Sequence, residues 1–192
     1  LDSVEARRAL EVMRNAVAEG YASPSSLEID ETKMRDLFGS GQIAFNLTGP
    51  FDASALDADY PKLNYKTAVI PGIDGMGVTT ANGWGVVMGK NARNKDAAGK
   101  FLEFVARPDN QARLTASFPA SYIAMEYPQF STETFIPFIT QLENSRPEPA
   151  YSRWAEMEPI MYQYILKAVS GSMNVDQAIS AMSKDLTTLL VY

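Results

Sequence analysis

The sequence predicts an α/β fold in which helix is in excess over strand. Short apolar runs typical of buried strands occur at 43–47, 65–70 and 83–88, and glycine or proline lies next to each of them. Amphipathic stretches with a spacing of three to four residues separate and follow these runs, most clearly at 94–106 and 174–190. Strands that alternate with helices in this way indicate the α/β class.

Helix boundaries follow from caps and stops along the chain. A first helix is expected from about Ser3 to Glu19, where Gly20 stops it, and a short second one from about Asp30, with Gly39 as its stop. Later helices are expected at 94–106, at 131–142 and at 152–170, the last of them bent or interrupted at Pro159. Asn174 caps a closing helix whose predicted inward stripe is Ala178, Ile179, Met182, Leu186 and Leu190.

Composition excludes several classes of function. The 192 residues include no histidine and no cysteine, so imidazole bases, thiol nucleophiles and His- or Cys-ligated metals are impossible within this chain. A net charge of −6 argues against a nucleic-acid partner, because phosphate binding needs clustered Lys and Arg. No apolar run reaches the roughly 18–20 residues that span a bilayer. Neither a metal nor a cofactor is expected.

The chain begins at Leu1 and enters a helix almost at once. This start favours a chain cut from a longer protein over a mature chain that begins abruptly. The lack of cysteine fits an exported bacterial protein, but many cytosolic proteins also lack it, so it leaves the compartment open.

Aromatic residues at loops and element ends are the candidate binding groups. Phe51, Trp84, Tyr151 and Trp154 lie outside any helical stripe. An aromatic face can stack on the C–H face of a sugar ring while neighbouring polar groups bind its hydroxyls. The alternative is that each ring fills a gap between layers, which is the commoner role for a single aromatic. Gly83 and Gly85 on either side of Trp84 favour an accessible ring.

Carboxylates offer a weaker case for catalysis. Glu156 with Glu158, or Asp57 with Asp59, could be imagined as the acid pair of a glycosidase. Residues two apart on a helix point to different faces, which places Glu156 and Glu158 poorly for joint action. Solvated surface carboxylates are the simpler interpretation, and no catalytic residue is predicted.

In combination, several stretches resemble the second half of the family 1 extracellular solute-binding proteins of ABC importers, the sugar-binding group that includes maltose-binding protein. Residues 38–51 are similar to the family's segment of phenylalanine, glycine, strand and Gly-Pro-aromatic, and 82–88 to its Gly-Gly-Trp-Gly strand. Residues 96–104 resemble its Lys-Ala-Ala-x-x-Phe-Leu helix. Tyr65 to Pro71 looks like the strand between, and the end of the chain from Trp154 resembles the last two helices.

The resemblance implies a periplasmic binding protein-like II fold, here a helix-rich fragment with most of one lobe and a strand–helix excursion into the other. Residues 1–80 would belong to the C-terminal lobe, 83–118 would visit the N-terminal lobe, and 119–192 would return. The first half of such a protein is missing. Ligand-binding positions implied by similarity or by adjacency are Phe51, Asn82, Gly83, Trp84, Tyr151 and Trp154. Phe51 departs from the family, where Trp is common.

The function implied is that of the substrate-binding component of an ABC importer. A sugar or oligosaccharide would bind in a cleft between the lobes, and hinge closure would couple binding to delivery to membrane permease subunits. A monomer is expected, in the periplasm or lipid-anchored outside the cell. A polyamine or a phosphate ester remains the alternative ligand, and a glycoside-active enzyme is the alternative from another class.

Overall fold

The computed structural model describes residues 2–190, which divide into two compact units. The first unit takes the chain up to Met34 and again from Pro149, and the second runs from Arg35 to Glu148. The helices are α1 (Val4–Ala18), α2 (Glu31–Gly39), α3 (Pro50–Asp59), α4 (Lys95–Ala106), α5 (Pro108–Leu114), α6 (Tyr122–Met125), α7 (Ile136–Leu142), α8 (Trp154–Val169) and α9 (Val175–Leu190). The strands are β1 (Pro71–Gly72), β2 (Gly75–Met76), β3 (Thr79–Thr80) and β4 (Ser145–Arg146).

The first unit is built around three helices that bury one another's apolar faces. Helices α1, α8 and α9 pack together around a core to which each contributes side chains. The predicted stripe of α9 is confirmed at four of its five positions, whereas Leu190 is largely exposed. The buried members of this core are Leu10, Met157, Ala168, Val175, Ala178, Ile179, Met182 and Leu186.

Side chains cap the first turns of two of these helices, and the cap at Asn174 is the predicted one. Ser3 Oγ accepts a hydrogen bond from the Ala6 amide, and Asn174 Oδ1 accepts one from the Gln177 amide at 2.8 Å. Pro159 lies inside α8, which continues through it as a single helix.

Helix α3 was not expected, because Gly49 and Pro50 were interpreted as the end of a strand. Proline is favoured in the first turn of a helix, where its missing N–H would have no partner. Pro50 occupies that position, and Asp52 places a carboxylate at the positive end of the helix. The predicted helix at 131–142 is shorter, because Pro137 fits only the first turn of α7.

The strand predictions were wrong for the described part of the chain. Residues 43–47, 65–70 and 83–88 join no backbone ladder within residues 2–190. A strand is defined by hydrogen bonds to a neighbour, which local sequence cannot supply. The ladders that do form are two residues long, β1 with β2 antiparallel and β3 with β4 parallel.

Two of the unpaired segments leave apolar side chains in solvent. In the first, Asn46 and Thr48 are half-buried, whereas Phe45 and Leu47 are 91% and 79% exposed. In the second, every residue from Asn82 to Lys90 is exposed. Helix α4 is amphipathic as predicted, yet none of its residues is buried among the part of the chain that the structure describes. Apolar faces of the second unit are therefore uncovered here.

The rest of the second unit has a small core of its own. Phe118, Phe130 and Phe135 meet edge to face beside the buried Ala112 and Ala124, with centroids 5.8–6.3 Å apart. None of the described helices combines the length and the apolar character that crossing a membrane requires.

Candidate functional site

The turn before α3 presents Phe51. Gly49 is the N-cap of the helix, and its φ of −100° is open to any residue. A Cβ atom at Gly49 would nevertheless lie 2.5 Å from Phe51 Cε1, so any other residue at this position would displace the ring. Phe51 keeps 39% of its surface exposed. The turn thus holds an aromatic ring against backbone while leaving part of it open.

A buried polar network lies next to this turn, and sequence reasoning missed it. We call Arg35, Asn46, Thr48 and Asp52 the Asp52 network. The Asp52 side chain is 1% exposed, and its carboxylate accepts hydrogen bonds from Thr48 Oγ1 at 2.6 Å, Arg35 Nη1 at 3.2 Å and Asn46 Nδ2 at 3.4 Å. The alternation of polar with apolar residues at 45–48 was the available signal, but those positions were interpreted as an ordinary strand.

The segment from Asn82 to Trp84 follows directly on β3. Asn82 Nδ2 donates a hydrogen bond of 2.7 Å to the carboxylate of Glu148. Glu148 lies two residues after the end of β4. Trp84 is fully exposed (105%), and no atom would lie within 4 Å of a Cβ at Gly83 or Gly85. The indole packs against nothing in the second unit that would explain its presence by burial. It is available to a ligand or to another part of a larger protein.

In the first unit, Tyr151 and Trp154 differ in exposure. Tyr151 is more than half exposed, whereas Trp154 is half-buried and packs against the core around Ile179. The indole Nε1 of Trp154 is buried and has no hydrogen-bond partner among residues 2–190. This packing favours the alternative that most of the Trp154 ring fills a gap between layers. Its N–H remains a donor whose hydrogen bond is unsatisfied among the described residues.

The six predicted residues are thus shared between the units. Phe51, Asn82, Gly83 and Trp84 belong to the second unit, and Tyr151 and Trp154 to the first. An open depression in the second unit, lined by Gly39–Gly41 and Tyr60–Leu63, includes none of the six.

The titratable groups give little support to acid–base chemistry. Arg153 donates two hydrogen bonds to Glu156, which lowers the pKa of that carboxyl, the opposite of what a general acid needs. Burial, helped by a hydrogen bond to Asp57, raises the pKa of Tyr65 well above its usual range. Within residues 2–190, the acidic side chains form no group of three or more that could hold a metal ion.

Residues 2–112 match the sequence profile of the bacterial extracellular solute-binding proteins, which is more than half of the chain. The chain belongs to this family. Curated relatives from Brucella abortus and Brucella suis, named only as binding proteins, are 23% identical over 83% of this chain and 40% of theirs.

Solved structures show the fold of this solute-binding protein. The sugar-binding protein MalE of Xanthomonas citri is 26% identical and superposes with a TM-score of 0.80 over 96% of this chain and 48% of its own. Maltose-bound MalE3 of T. maritima superposes with a TM-score of 0.85 at 21% identity, over 98% of this chain and 51% of its own. The periplasmic binding protein-like fold predicted from the resemblance is confirmed, and the chain spans about half the length of these proteins.

Proposed function

We propose that this chain is part of the substrate-binding component of an ABC importer, which binds a sugar or oligosaccharide by aromatic stacking and hydrogen bonds. Membership of the solute-binding family and the likeness to a sugar-binding MalE at 26% identity support this ligand class. The observation that carries the proposal is Trp84, a fully exposed indole between two glycines on the fold of that family.

Stacking suits the chemistry of a sugar ring. One face of a pyranose is lined with C–H groups and lies flat on an aromatic ring, while hydroxyls at its edge need polar partners. Trp84 and Phe51 supply aromatic surface, and Asn82 beside Trp84 supplies an amide. Tyr151 supplies a phenol ring, and Trp154 an indole N–H without a hydrogen-bond partner among residues 2–190. The ligand is held without covalent chemistry, and the protein is a carrier and not an enzyme.

We assign residues 1–80 and 119–192 to one lobe and 83–118 to the other lobe of a longer protein. Two findings support a longer protein whose other parts cover residues 83–89 and α4. The chain covers about half of its solved relatives, 48% of the Xanthomonas citri protein and 51% of the T. maritima one. The exposed apolar side chains of 83–89 and of α4 are what a strand and a helix show when the layers that cover them lie outside the chain.

The location and partners follow from the same proposal. The complete protein works outside the cytoplasmic membrane, in the periplasm or held by a lipid anchor, and delivers its solute to permease subunits. It acts as a monomer that closes on the ligand between its lobes.

The alternative ligands lack a matching site residue. A polyamine would need a carboxylate directed at the ligand, but the buried carboxylate of Asp52 already accepts hydrogen bonds from three side chains of the second unit. A glycosidase would need a carboxyl with a raised pKa, and that of Glu156 is lowered.

Titration calorimetry on the full-length protein tests the proposal, with maltose, maltotriose and a panel of monosaccharides as probes. We expect Trp84→Ala to weaken binding by about 1–3 kcal/mol, because a stacked indole surface is lost. Tyr122→Ala is the matched control, since Tyr122 is also exposed in the second unit but lies outside the proposed site.

Tryptophan fluorescence gives a second measurement on the same samples. Sugar binding should shift or quench the emission of the wild-type protein and leave that of Trp84→Ala much less changed. No heat of binding and an unchanged emission across the panel would remove the sugar assignment. Equal affinities of wild-type protein and Trp84→Ala would remove Trp84 from the site.

A further inference from the structure

The carboxylate of Asp52 has no part in the stacking mechanism, yet it is the most buried acidic group described. Burying a carboxylate is unfavourable unless hydrogen bonds replace those of water. Thr48, Arg35 and Asn46 supply three such bonds. An alanine or leucine at this place would need none of them, so the network calls for an explanation other than core filling.

The members of the Asp52 network lie on three different segments. Asn46 and Thr48 precede the turn at Gly49, and Asp52 follows it. The Asp52 amide also donates to the Gly49 carbonyl at 3.2 Å, which closes the turn at its base. Arg35 comes from α2, so it ties the closed turn to a helix more distant in sequence. The carboxylate therefore fixes the turn from both sides and anchors it.

Phe51 lies in the first turn of α3, immediately before Asp52. Adjacent residues of a helix point about 100° apart around its axis. With the Asp52 side chain buried, Phe51 lies on a different side of the first turn of α3 and keeps 39% of its surface exposed. The ring then lies over Gly49, where no Cβ obstructs it.

We propose that Asp52 is a positioning residue for ligand binding, which acts through Phe51 by fixing the direction in which the turn presents the ring. The assignment rests on the proposed function, because it takes Phe51 to be a stacking surface. Asp52 itself makes no contact with the ligand, since its oxygens are occupied and its side chain is buried. A site held in its productive geometry before binding loses less entropy when the ligand arrives.

Fluorine NMR on the full-length, ligand-free protein with 4-fluorophenylalanine at position 51 tests the positioning directly. We expect one sharp resonance in the wild-type background and a shifted or broadened one in Asp52→Asn and Thr48→Val. Thr48→Ser keeps the hydroxyl and should keep the wild-type signal. Gly49→Ala supplies the reference for a displaced ring, because the new Cβ would collide with Phe51.

Maltose affinity then tests whether the position matters for binding. We expect Asp52→Asn to raise the Kd roughly tenfold, as expected for the loss of about one aromatic stacking contact. In a Phe51→Ala background the same change should have little further effect, because the two residues act as one unit. Asp57→Asn is the matched control on the same helix, since Asp57 accepts a hydrogen bond from Tyr65 and lies away from the turn.

Three outcomes overturn the proposal. One is an unchanged fluorine resonance in both Asp52→Asn and Thr48→Val. Another is that Asp52→Asn lowers the affinity for maltose equally in the wild-type and Phe51→Ala backgrounds. The third is that Asp57→Asn matches Asp52→Asn in both measurements, which would indicate general destabilisation. If wild-type protein binds neither maltose nor another sugar of the panel, the proposed function fails, while the fluorine spectra still decide whether Asp52 positions the ring.

Discussion

The two compact units of this protein differ in how far they bury their apolar side chains. In the first unit, α1, α8 and α9 cover one another, and residues such as Ile179 are completely buried. In the second unit, Phe45, Trp84 and Val87 lie in solvent, and no residue of α4 is fully buried in the described chain. Both units contain similar apolar patterns in sequence. They differ in whether the partners of those patterns are close by.

The contrast reflects where helices and strands find partners for their backbone hydrogen bonds. A helix makes its own backbone hydrogen bonds and needs only a neighbouring apolar stripe, which α8 and α9 provide for each other across a short connection. A strand needs a second backbone alongside it. Residues 43–47 and 83–88 have the composition of strands, but their partners are not among residues 2–190.

Replacing a core residue of the first unit should have the largest effect. Ile179→Ala removes a fully buried side chain, and we expect a loss of about 2–5 kcal/mol in the free energy of unfolding. Leu190→Ala on the same helix should change it by less than about 0.5 kcal/mol, because Leu190 is exposed. Urea denaturation followed by circular dichroism measures both. Similar losses in the two variants would contradict the described core.

A packing test in the second unit comes next. Gly39→Ala would place a Cβ 2.5 Å from the Tyr60 ring, so the ring must move and its hydrogen bond to Asp36 is disturbed. Alanine favours a helix over glycine by about 0.5–1 kcal/mol, whereas overpacking costs about 1–3 kcal/mol. We therefore expect a net loss of stability in urea denaturation. Gly85→Ala, which meets no atom within 4 Å, is the control, and a stabilised Gly39→Ala would show that the ring is not tightly held.

A change at Val87 should distinguish a covered face from an uncovered one. In the 192-residue chain, Val87→Ala should alter the free energy of unfolding by less than about 0.5 kcal/mol, because the side chain is exposed. In the full-length protein, the proposed second lobe would bury Val87, and the loss should rise to about 1–2 kcal/mol. Denaturation of both proteins measures the difference. An equal, small effect in the two would mean that 83–88 stays uncovered.

The smallest expected effect is a pH dependence in the second unit. Folding raises the pKa of the Tyr65 phenol above its unfolded value near about 10. The contribution of the protonated Tyr65 phenol to the free energy of unfolding is therefore complete below about pH 10, and it is lost as the pH rises towards the folded pKa. Between pH 8 and about 11, the Tm measured by thermal unfolding should fall more steeply for the wild-type protein than for Tyr65→Phe. Tyr122→Phe, at an exposed tyrosine, should retain the wild-type decline.

The candidate site was only partly accessible to sequence reasoning. Glycines beside Trp84 correctly indicated an exposed indole, because residues without side chains leave a neighbour uncovered. The half-burial of Trp154 could not be foreseen, since it depends on where α9 lies. Nor could the Asp52 network, because its donors are 4 to 17 residues from Asp52 along the chain.

The sequence by itself determined the helices of the first unit, the cap at Asn174, the absence of imidazole and thiol chemistry, and the family. These depend on residue type and on contacts a few residues apart, which a local pattern carries. The tertiary structure alone decided that Asp52 is buried and paired, that Phe51 lies over Gly49, and that 43–47 and 83–88 pair with no strand within residues 2–190. Each of these features depends on contacts with backbone or side chains that the local sequence pattern does not specify.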